Sequence, residues 1–217
     1  MGAQRDFVAP FFINTMAKID LELYEIKGAK ANELARKIVE THHSYVPSWD
    51  SVGRRIDWFI LVKGKIVGVI GIGSSTYPPC KDILKRLNMD KQGYKDIFNN
   101  IANNWRYCLS VSIPNLGTQV LREVRKIAPY AWKMKYGDEL KYLITFVGGG
   151  NSGAIYKADN WEMIGYTSGL PEHEPLSMKW DSNDKLKDKF VKPTGENKKM
   201  IFFKVLKQSN YKPLTLF

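Results

Sequence analysis

Histidine and cysteine are the side chains from which metal sites and nucleophile pairs are commonly built. This chain of 217 residues has three histidines and two cysteines. The histidines show no His-x-x-x-His spacing, and Cys80 and Cys108 form no Cys-x-x-Cys pair. A dedicated zinc site is therefore not expected. The glycine-rich segment at residues 148–153 lacks the Gly-Lys-Ser/Thr ending of a P-loop, which argues against an ATP site.

Charge is the more informative chemical feature. The chain has 33 basic and 22 acidic residues, a formal net charge of +11, which predicts an acidic partner, nucleic acid being the simplest one. Residues 179–217 contain ten lysines and four acidic residues, so more than half of the excess lies there. This segment is either a solvated, partly disordered extension or a basic surface that follows a phosphate backbone.

Composition predicts a folded domain in a reducing compartment. Apolar residues make up 44% of the chain and aromatic residues 12%, which argues against intrinsic disorder. Two cysteines cannot form a disulfide framework, and the longest apolar runs are too short for a membrane span. Residues 7–13 are apolar but contain Pro10 and do not resemble a secretory signal. We therefore expect a cytoplasmic protein without a membrane partner.

Hydrophobic spacing predicts the elements that must position any functional side chain. Residues 56–62 and 65–74 are rich in branched and aromatic side chains and flank the turn Lys63-Gly64, which predicts a β-hairpin. Apolar spacings of three and four predict helices at 31–41 and from 120 toward Gly137, the second kinked or split by Pro129. The other predicted elements are strands at 21–26, 106–113, 142–147, 161–166 and 200–206, one or two short helices within 82–101, and a helical turn at 154–160.

The order of these elements resembles the GNAT acyltransferase fold over residues 20–206. The resemblance implies one α/β (α+β) domain with a central mixed, mostly antiparallel sheet flanked by helices. We assign residues 1–19 to an N-terminal extension and 207–217 to a C-terminal tail. The sequence leaves open whether the protein is a monomer or a dimer.

In the GNAT fold the fourth strand leads into a helix whose first N–H groups bind the pyrophosphate of acyl-CoA. The resemblance places this role on Asn115, Gly117, Thr118 and Gln119. Of the family pattern Gln/Arg-x-x-Gly-x-Gly/Ala only Gly117 is kept, because Pro114 and Gln119 occupy the other two positions. The pattern gives acyl-CoA weak support, and the sequence does not identify the group donor.

Three sequence blocks carry a closer resemblance. Residues 103–107 (NNWRY) running into 113–117 (IPNLG), then 145–147 (TFV), then 153–161 (GAIYKADNW), look like the DruA-like proteins of defence systems and mobile elements. The last block also resembles the Ile-Tyr-Arg-Ala-x-x-Phe segment of the bacteriophage Mom proteins, which modify the exocyclic amine of adenine in DNA and belong to the wider GNAT group.

This resemblance implies roles for four residues. Tyr156 matches the Mom tyrosine, and in GNAT enzymes a tyrosine of this short helix often donates a proton to the leaving group. Arg106 matches a Mom arginine at the start of the fourth strand and could neutralise a phosphate or carboxylate. His43 lies near the His-Tyr of Mom and could act as the base. Both families tend to place an aspartate after the fifth strand, where this chain has glycines at 148–150, so we consider Asp159 as a substitute.

The resemblance implies a DNA base-modifying transferase that adds an acyl-type, carbamoylmethyl-like group to adenine and so protects the DNA from restriction. An adenine amine inside a duplex must be flipped out of the helix to react. One alternative is a DruA-type DNA-binding protein without this activity, and the other is an acyl-CoA N-acetyltransferase. Tryptophans that could stack on a flipped base are Trp49, Trp58, Trp105, Trp132 and Trp161, and expected phosphate contacts are Arg54, Arg55, Arg122, Arg125, Lys126, Lys198 and Lys199.

Overall fold

A computed structural model describes residues 19–44, 48–50, 53–148, 150–168 and 198–207 of the chain. The predicted extension at 1–19 and tail at 207–217 lie almost wholly outside these residues, as does most of the basic segment at 179–217. Seven strands of the described part form one sheet. In chain order they are β1 (Leu21–Glu25), β2 (Arg55–Val62), β3 (Lys65–Ser74), β4 (Ile101–Leu109), β5 (Tyr142–Val147), β6 (Glu162–Tyr166) and β7 (Met200–Val205).

The spatial order of the strands is β1-β2-β3-β4-β5-β7-β6. Only the central pair, β4 with β5, is parallel, and the other neighbouring strands are antiparallel. The predicted hairpin is confirmed, since β2 and β3 are joined by Lys63 and Gly64, both with positive φ. That backbone matches the right-handed twist of the strands. The mixed, mostly antiparallel sheet is therefore also as predicted.

Helices cover both faces of the sheet. They are α1 (Ala29–His42), α2 (Lys81–Leu87), α3 (Lys91–Asp96), followed by a 3₁₀ turn at Phe98–Asn100, then α4 (Leu116–Tyr136) and α5 (Ala154–Ala158). Among the described residues, none of these helices is both long and apolar enough to cross a lipid bilayer.

Side chains that alternate along the strands separate the core into two layers. Ile70, Ala102 and Leu143 pack with α4 and α5, and we call this side the α4 face. Their sequence neighbours Val69, Ile101 and Ile144 pack on the other side, against α1, α2 and α3, which we call the α1 face. Because successive strand residues point to opposite faces, a strand at the middle of this sheet can present chemistry to both.

The fourth strand is where the sequence prediction was wrong. We predicted residues 106–113, but β4 runs from Ile101 to Leu109. Asn103 and Asn104 have low strand propensity, which hid the first half of the strand. Their backbone is nevertheless paired, with Asn103 opposite both Gly73 of β3 and Ile144 of β5. Tertiary pairing overrides local propensity here, and Arg106 lies past the middle of the strand rather than at its start.

Pro129 does not split α4, which continues as one helix to Gly137. A proline in a helix lacks one hydrogen bond and crowds the carbonyl of the preceding turn. Burial of apolar side chains compensates for the missing hydrogen bond, because Val124, Ala128 and Trp132 on the same helix are packed in the core. The helix ends as predicted, with Gly137 in the left-handed conformation that terminates helices.

Candidate active site

A cleft opens where the two parallel central strands separate. β4 and β5 are paired only at three positions, from Ile101 opposite Tyr142 to Asn103 opposite Ile144. Beyond that point the strands diverge around a cavity of about 350 Å³. It is lined by residues of the α1 end (His42, His43, Ser44), of β4 (Asn104, Trp105, Arg106, Tyr107, Cys108, Leu109), of β5 (Thr145, Phe146, Val147) and of the following loop and α5 (Asn151, Ser152, Gly153, Ala154, Ile155, Tyr156).

A β-bulge in β4 determines which side chains reach each face of this cleft. Gly71 of β3 lies opposite Arg106 and Ile72 lies opposite Asn104, so Trp105 has no partner residue in the register. Bulges re-aim side chains and are frequent beside active sites. Trp105 and Arg106 consequently both contact residues of the α1 face, whereas the flanking Asn104 and Tyr107 contact the α4 face.

Tyr156 enters the cleft from the α4 face and is tied to the point where the strands divide. Its hydroxyl donates to Asn104 Oδ1 at 2.8 Å, in a buried hydrogen bond. Asn104 is itself fixed, because its Nδ2 donates to the Gly71 carbonyl at 2.8 Å and its own carbonyl accepts from Thr145 Oγ1 at 3.0 Å. The phenol is thereby held in one orientation by a network in which each polar group has a partner.

The N-terminus of α4 lies one layer of side chains away from the cleft. Tyr107 lines the cleft and donates its hydroxyl to the Gly117 carbonyl at 3.0 Å. A Cβ at Gly117 would lie 2.8 Å from Cγ2 of Ile155, another lining residue. Gly117 is therefore required for the close packing of α4 on α5. The residues predicted to bind the donor, Asn115, Gly117, Thr118 and Gln119, all lie at this helix end; none of them lines the cleft, and Gly117 contacts the lining residues Tyr107 and Ile155.

His43 and Arg106 line the cleft from the α1 side, and Lys199, which does not line it, lies close to Arg106. Partial burial lowers the pKa of His43, and the charge of Arg106 lowers it further. The same two causes, burial and the charge of Arg106, lower the pKa of Lys199. Both causes favour the neutral form of His43, which is the form that a general base requires. In the described part of the chain, no Asp or Glu side chain lines the cleft.

Arg106 packs on Trp105, which together with Trp49 forms a pair that we call the tryptophan cluster. The Arg106 guanidinium lies 4.9 Å from the Trp105 ring centroid and donates from Nε to the Ser48 carbonyl at 2.7 Å. Trp105 also packs on Trp49 and donates from Nε1 to Asp57 Oδ1 at 3.0 Å. Of the five tryptophans considered from the sequence, Trp105 is the one that lines the cleft, and the other four are buried in the core.

The structure does not bring Asp159 into the cleft. Its carboxylate is buried and bound at both oxygens by Arg125, at 2.7 and 2.6 Å, and it also accepts from Trp161 Nε1 at 2.9 Å. This arrangement ties the end of α5 to α4. Asp159 therefore cannot reach a substrate between β4 and β5, and Arg125 is held by the ion pair rather than presented to a phosphate.

The other predicted phosphate contacts are dispersed. Arg54 pairs with Asp138, and Arg55 pairs with Asp57 beneath the tryptophan cluster, so both have internal partners. Lys126 is paired with Glu123 on the surface of α4. Arg122 and Lys198 are exposed. Lys199 lies close enough to the cleft residue Arg106 for that charge to lower its pKa.

Sequence reasoning missed Asn104 and Thr145 as functional candidates. Both are buried polar residues, and they fix Tyr156 at the point where the strands divide. The signal was present as two consecutive asparagines inside a stretch that the fold makes a central strand. A local rule broken in this way is often associated with a functional site. Cys108 also lines the cleft, but burial raises the pKa of its thiol to about 11, so it is a poor nucleophile.

Among the described residues, no three His, Cys, Asp or Glu side chains lie close enough to hold a metal ion together. No protein-family model and no curated protein matches the sequence.

Solved structures do match. A protein of the GNAT acetyltransferase family from Desulfovibrio desulfuricans is 10% identical, with a TM-score of 0.50, and the match covers 86% of this chain and 99% of that one. FeeM, an N-acyl amino acid synthase from uncultured soil microbes, is also 10% identical with a TM-score of 0.50, over 88% of this chain and 93% of its own. Such likeness shows the fold alone, and the chain has the GNAT acetyltransferase fold that its element order predicted.

Proposed function

We propose that the protein is an N-acyltransferase that moves an acyl-type group from an activated donor to an amine inside the β4–β5 cleft. The observation that carries the proposal is the placement of two proton-handling side chains on opposite faces of one cleft. His43 reaches it from the α1 face and Tyr156 from the α4 face. An acyl transfer needs a base that accepts the proton of the attacking amine and an acid that protonates the leaving group, and a substrate held between the two faces of the cleft could meet one such residue on each.

The proposed step balances with these two residues. The amine nitrogen attacks the acyl carbon, the new C–N bond forms, and the bond to the leaving group breaks. His43, which is neutral because its pKa is lowered, accepts the amine proton. Tyr156 donates its hydroxyl proton to the leaving group, and solvent exchange then returns a proton from His43 to Tyr156. Asn104 keeps the Tyr156 hydroxyl in position through their hydrogen bond.

The N-terminus of α4 favours a donor that carries phosphates. The first amides of this helix, including those of Gly117 and Thr118, have no partner within the helix and favour an anion. Arg122, one turn beyond Thr118, is exposed and could neutralise a second phosphate. Acyl-CoA is the donor that the fold implies, and its thioester would supply the activated acyl carbon. The fit is partial, because packing on Ile155 already requires Gly117, and Pro114 and Gln119 depart from the family pattern.

A finer proposal concerns the acceptor, for which we retain the exocyclic amine of adenine in DNA. The resemblance of residues 153–161 to the Mom segment supports it, as does the net charge of +11. Phe146 lines the cleft and offers an aromatic surface for a flipped base, whereas the Trp105 ring already packs against Trp49, Arg55 and Arg106. The internal pairing of Arg54, Arg55 and Arg125 weakens it. A DruA-type role, in which the fold binds DNA without this chemistry, is the corresponding alternative.

One experiment separates these functions. Purified protein is incubated with acetyl-CoA and either a panel of amines or duplex DNA, and the products are identified by mass spectrometry together with the nucleosides of DNA from expressing cells. An amide product lost in both His43→Gln and Tyr156→Phe supports the transferase. A modified adenine supports the DNA acceptor. DNA binding without any product, in cells or in vitro, favours the DruA-type role and contradicts the transferase.

A further inference from the structure

Two cationic side chains, Arg106 and Lys199, give the α1 side of the cleft a positive charge. Arg106 lies close enough to both His43 and Lys199 for its charge to lower the pKa of each. Lys199 is half-buried, and its side chain lies against Gly148 at the end of β5, where a Cβ would be 2.9 Å from Lys199 Cγ. Its aliphatic part therefore packs at the end of β5, next to the lining residue Val147, and its ammonium group is close enough to Arg106 to be affected by that charge.

The opposite face has a different character. There Tyr156, Tyr107 and Ile155 line the cleft and carry no formal charge. The Tyr156 hydroxyl donates to Asn104 Oδ1, and the Tyr107 hydroxyl donates to the Gly117 carbonyl. Donor phosphates, where the donor has them, would lie at the α4 terminus on this same side. The charge of Arg106 and Lys199 is therefore across the sheet from the proposed donor position. It is also on the side of His43, the residue proposed to receive the amine proton.

We propose that the acceptor amine carries an anionic oxygen group, a phosphate or a carboxylate, which Arg106 and Lys199 bind on the α1 face of the cleft. This inference rests on the proposed acyl transfer to an amine and specifies the acceptor class. Hydrogen bonds from Arg106 Nε to the Ser48 carbonyl and from Nη1 to the Trp105 carbonyl hold the guanidinium in one orientation; its charge and its terminal N–H groups suit either anion, and the Lys199 ammonium adds a second charge. Such an anion can belong to a small molecule or to the backbone of a nucleic acid.

Matched acceptors test the inference. Propylamine, β-alanine and 2-aminoethyl phosphate share a primary amine on a two-carbon spacer and differ in a methyl, a carboxylate or a phosphate end. Adenosine, adenosine 5′-monophosphate and a duplex oligonucleotide form the second series. We expect kcat/KM with acetyl-CoA to be higher for the anionic members of at least one series. Preference confined to the first series identifies a small anionic amine, and preference confined to the second identifies a nucleotide or nucleic acid.

Variants then assign the preference to the two residues. Lys199→Gln and Arg106→Gln should each raise KM for the preferred anionic acceptor by about 10- to 100-fold, the range expected for hydrogen bonds to charged groups, with less effect on its neutral counterpart. Arg106→Lys should recover part of the loss, because it keeps the charge without the planar donors. Lys65→Gln removes one charge from the exposed end of the β2–β3 hairpin and should leave KM unchanged.

Binding measured by calorimetry keeps this test independent of catalysis. The wild-type protein should bind 2-aminoethyl phosphate or adenosine 5′-monophosphate more tightly than the neutral analogue, and Lys199→Gln should abolish the difference. Equal binding of the anionic and neutral members, or a preference that survives in both Lys199→Gln and Arg106→Gln, overturns the inference. Anion-selective binding without transfer to any amine overturns the proposed function instead, and transfer that ignores the anion overturns only the inference.

Discussion

The two faces of the β4–β5 cleft are built by different means. On the α4 face, Tyr156, Asn104 and Thr145 form a buried network in which each hydrogen bond is 2.8 to 3.0 Å long. On the α1 face, His43 and Arg106 are partly exposed and influence each other through charge. One face therefore fixes positions, and the other sets an electrostatic potential.

This difference separates two kinds of contribution that one cleft must combine. A proton donor to a leaving group must be held within hydrogen-bond reach of one atom, which favours a packed and fully bonded environment. Recognition of an acceptor by charge tolerates more positional freedom, because Coulomb interactions fall slowly with distance. The bulge at Trp105 lets a single strand serve both, since it directs Asn104 to one face and Arg106 to the other.

The largest expected effect comes from removing the phenolic hydroxyl on the α4 face. Tyr156→Phe should lower kcat for acyl transfer by about 100-fold or more, the contribution of a positioned acid, and should destabilise the fold by about 1–3 kcal/mol, because Asn104 Oδ1 loses its donor. Single-turnover rates measure the first effect and urea unfolding the second.

Tyr94→Phe is the matched control. Tyr94 is also fully buried, and its hydroxyl lies 2.5 Å from Ser75 Oγ, far from the lining of the cleft. The same chemical change there should lower stability and leave kcat unchanged. A similar loss of kcat in both variants would mean that Tyr156 acts through stability alone, and the distinction between the two faces would fail.

The second effect concerns the support of α5. Asp159→Asn breaks the paired hydrogen bonds with Arg125, and because the Asp159 side chain is only 4% exposed the loss should be about 2–4 kcal/mol of unfolding free energy. The transfer rate of the folded fraction should change little, because Asp159 lies outside the cleft. A large fall in kcat with unchanged thermal stability would instead support Asp159 as the substitute, considered from the sequence, for the aspartate that follows the fifth strand in the resembling families.

Gly117→Ala should have a smaller effect, since the new Cβ would lie 2.8 Å from Ile155 Cγ2 and overpacking of this kind destabilises by about 1–3 kcal/mol. Ile155→Ala removes the opposing methyl. Gly117→Ala should therefore cost less stability when it is introduced into the Ile155→Ala variant than when it is introduced into the wild-type protein. If KM for acetyl-CoA rises in Gly117→Ala and stays raised in the double variant, the helix terminus binds the donor. Recovery of KM together with stability would assign Gly117 to packing alone.

Much of the fold followed from the sequence, because its strongest signals are local. The β2–β3 hairpin, β5 and α1 were predicted within two residues of their ends, from alternation, apolar runs and helical spacing. The beginning of β4 was not, because Asn103 and Asn104 become strand residues only through pairing with both neighbours. Such pairing joins distant parts of the chain and leaves no periodic trace in the segment itself.

The site was predictable only in part, for a related reason. Resemblance drew attention to Tyr156, Arg106 and His43, and the fold brings all three to the same cleft. The sequence did not show that Arg54, Arg55 and Arg125 form internal ion pairs: the partners of Arg54 and Arg125 lie 84 and 34 residues away along the chain, and Asp57, the partner of Arg55, is its neighbour only because both lie on one side of β2. A charge count shows how many cations a protein has, whereas only the fold shows which of them are already paired.

The smallest expected effect is a shift in the pH dependence of kcat/KM, and it tests the electrostatic description of the α1 face. The proposed base role requires neutral His43, so kcat/KM should fall as the pH decreases through the pKa of His43, which burial and the charge of Arg106 hold below the ordinary value. Arg106→Gln removes the second cause and keeps the first, so the pKa of His43 should rise and the acid limb should move to higher pH. Lys65→Gln, which removes a charge elsewhere, should leave the limb in place. An acid limb that stays fixed in Arg106→Gln, or moves to lower pH, would show that the charge of Arg106 does not govern His43, and the electrostatic description of this face would have to be abandoned.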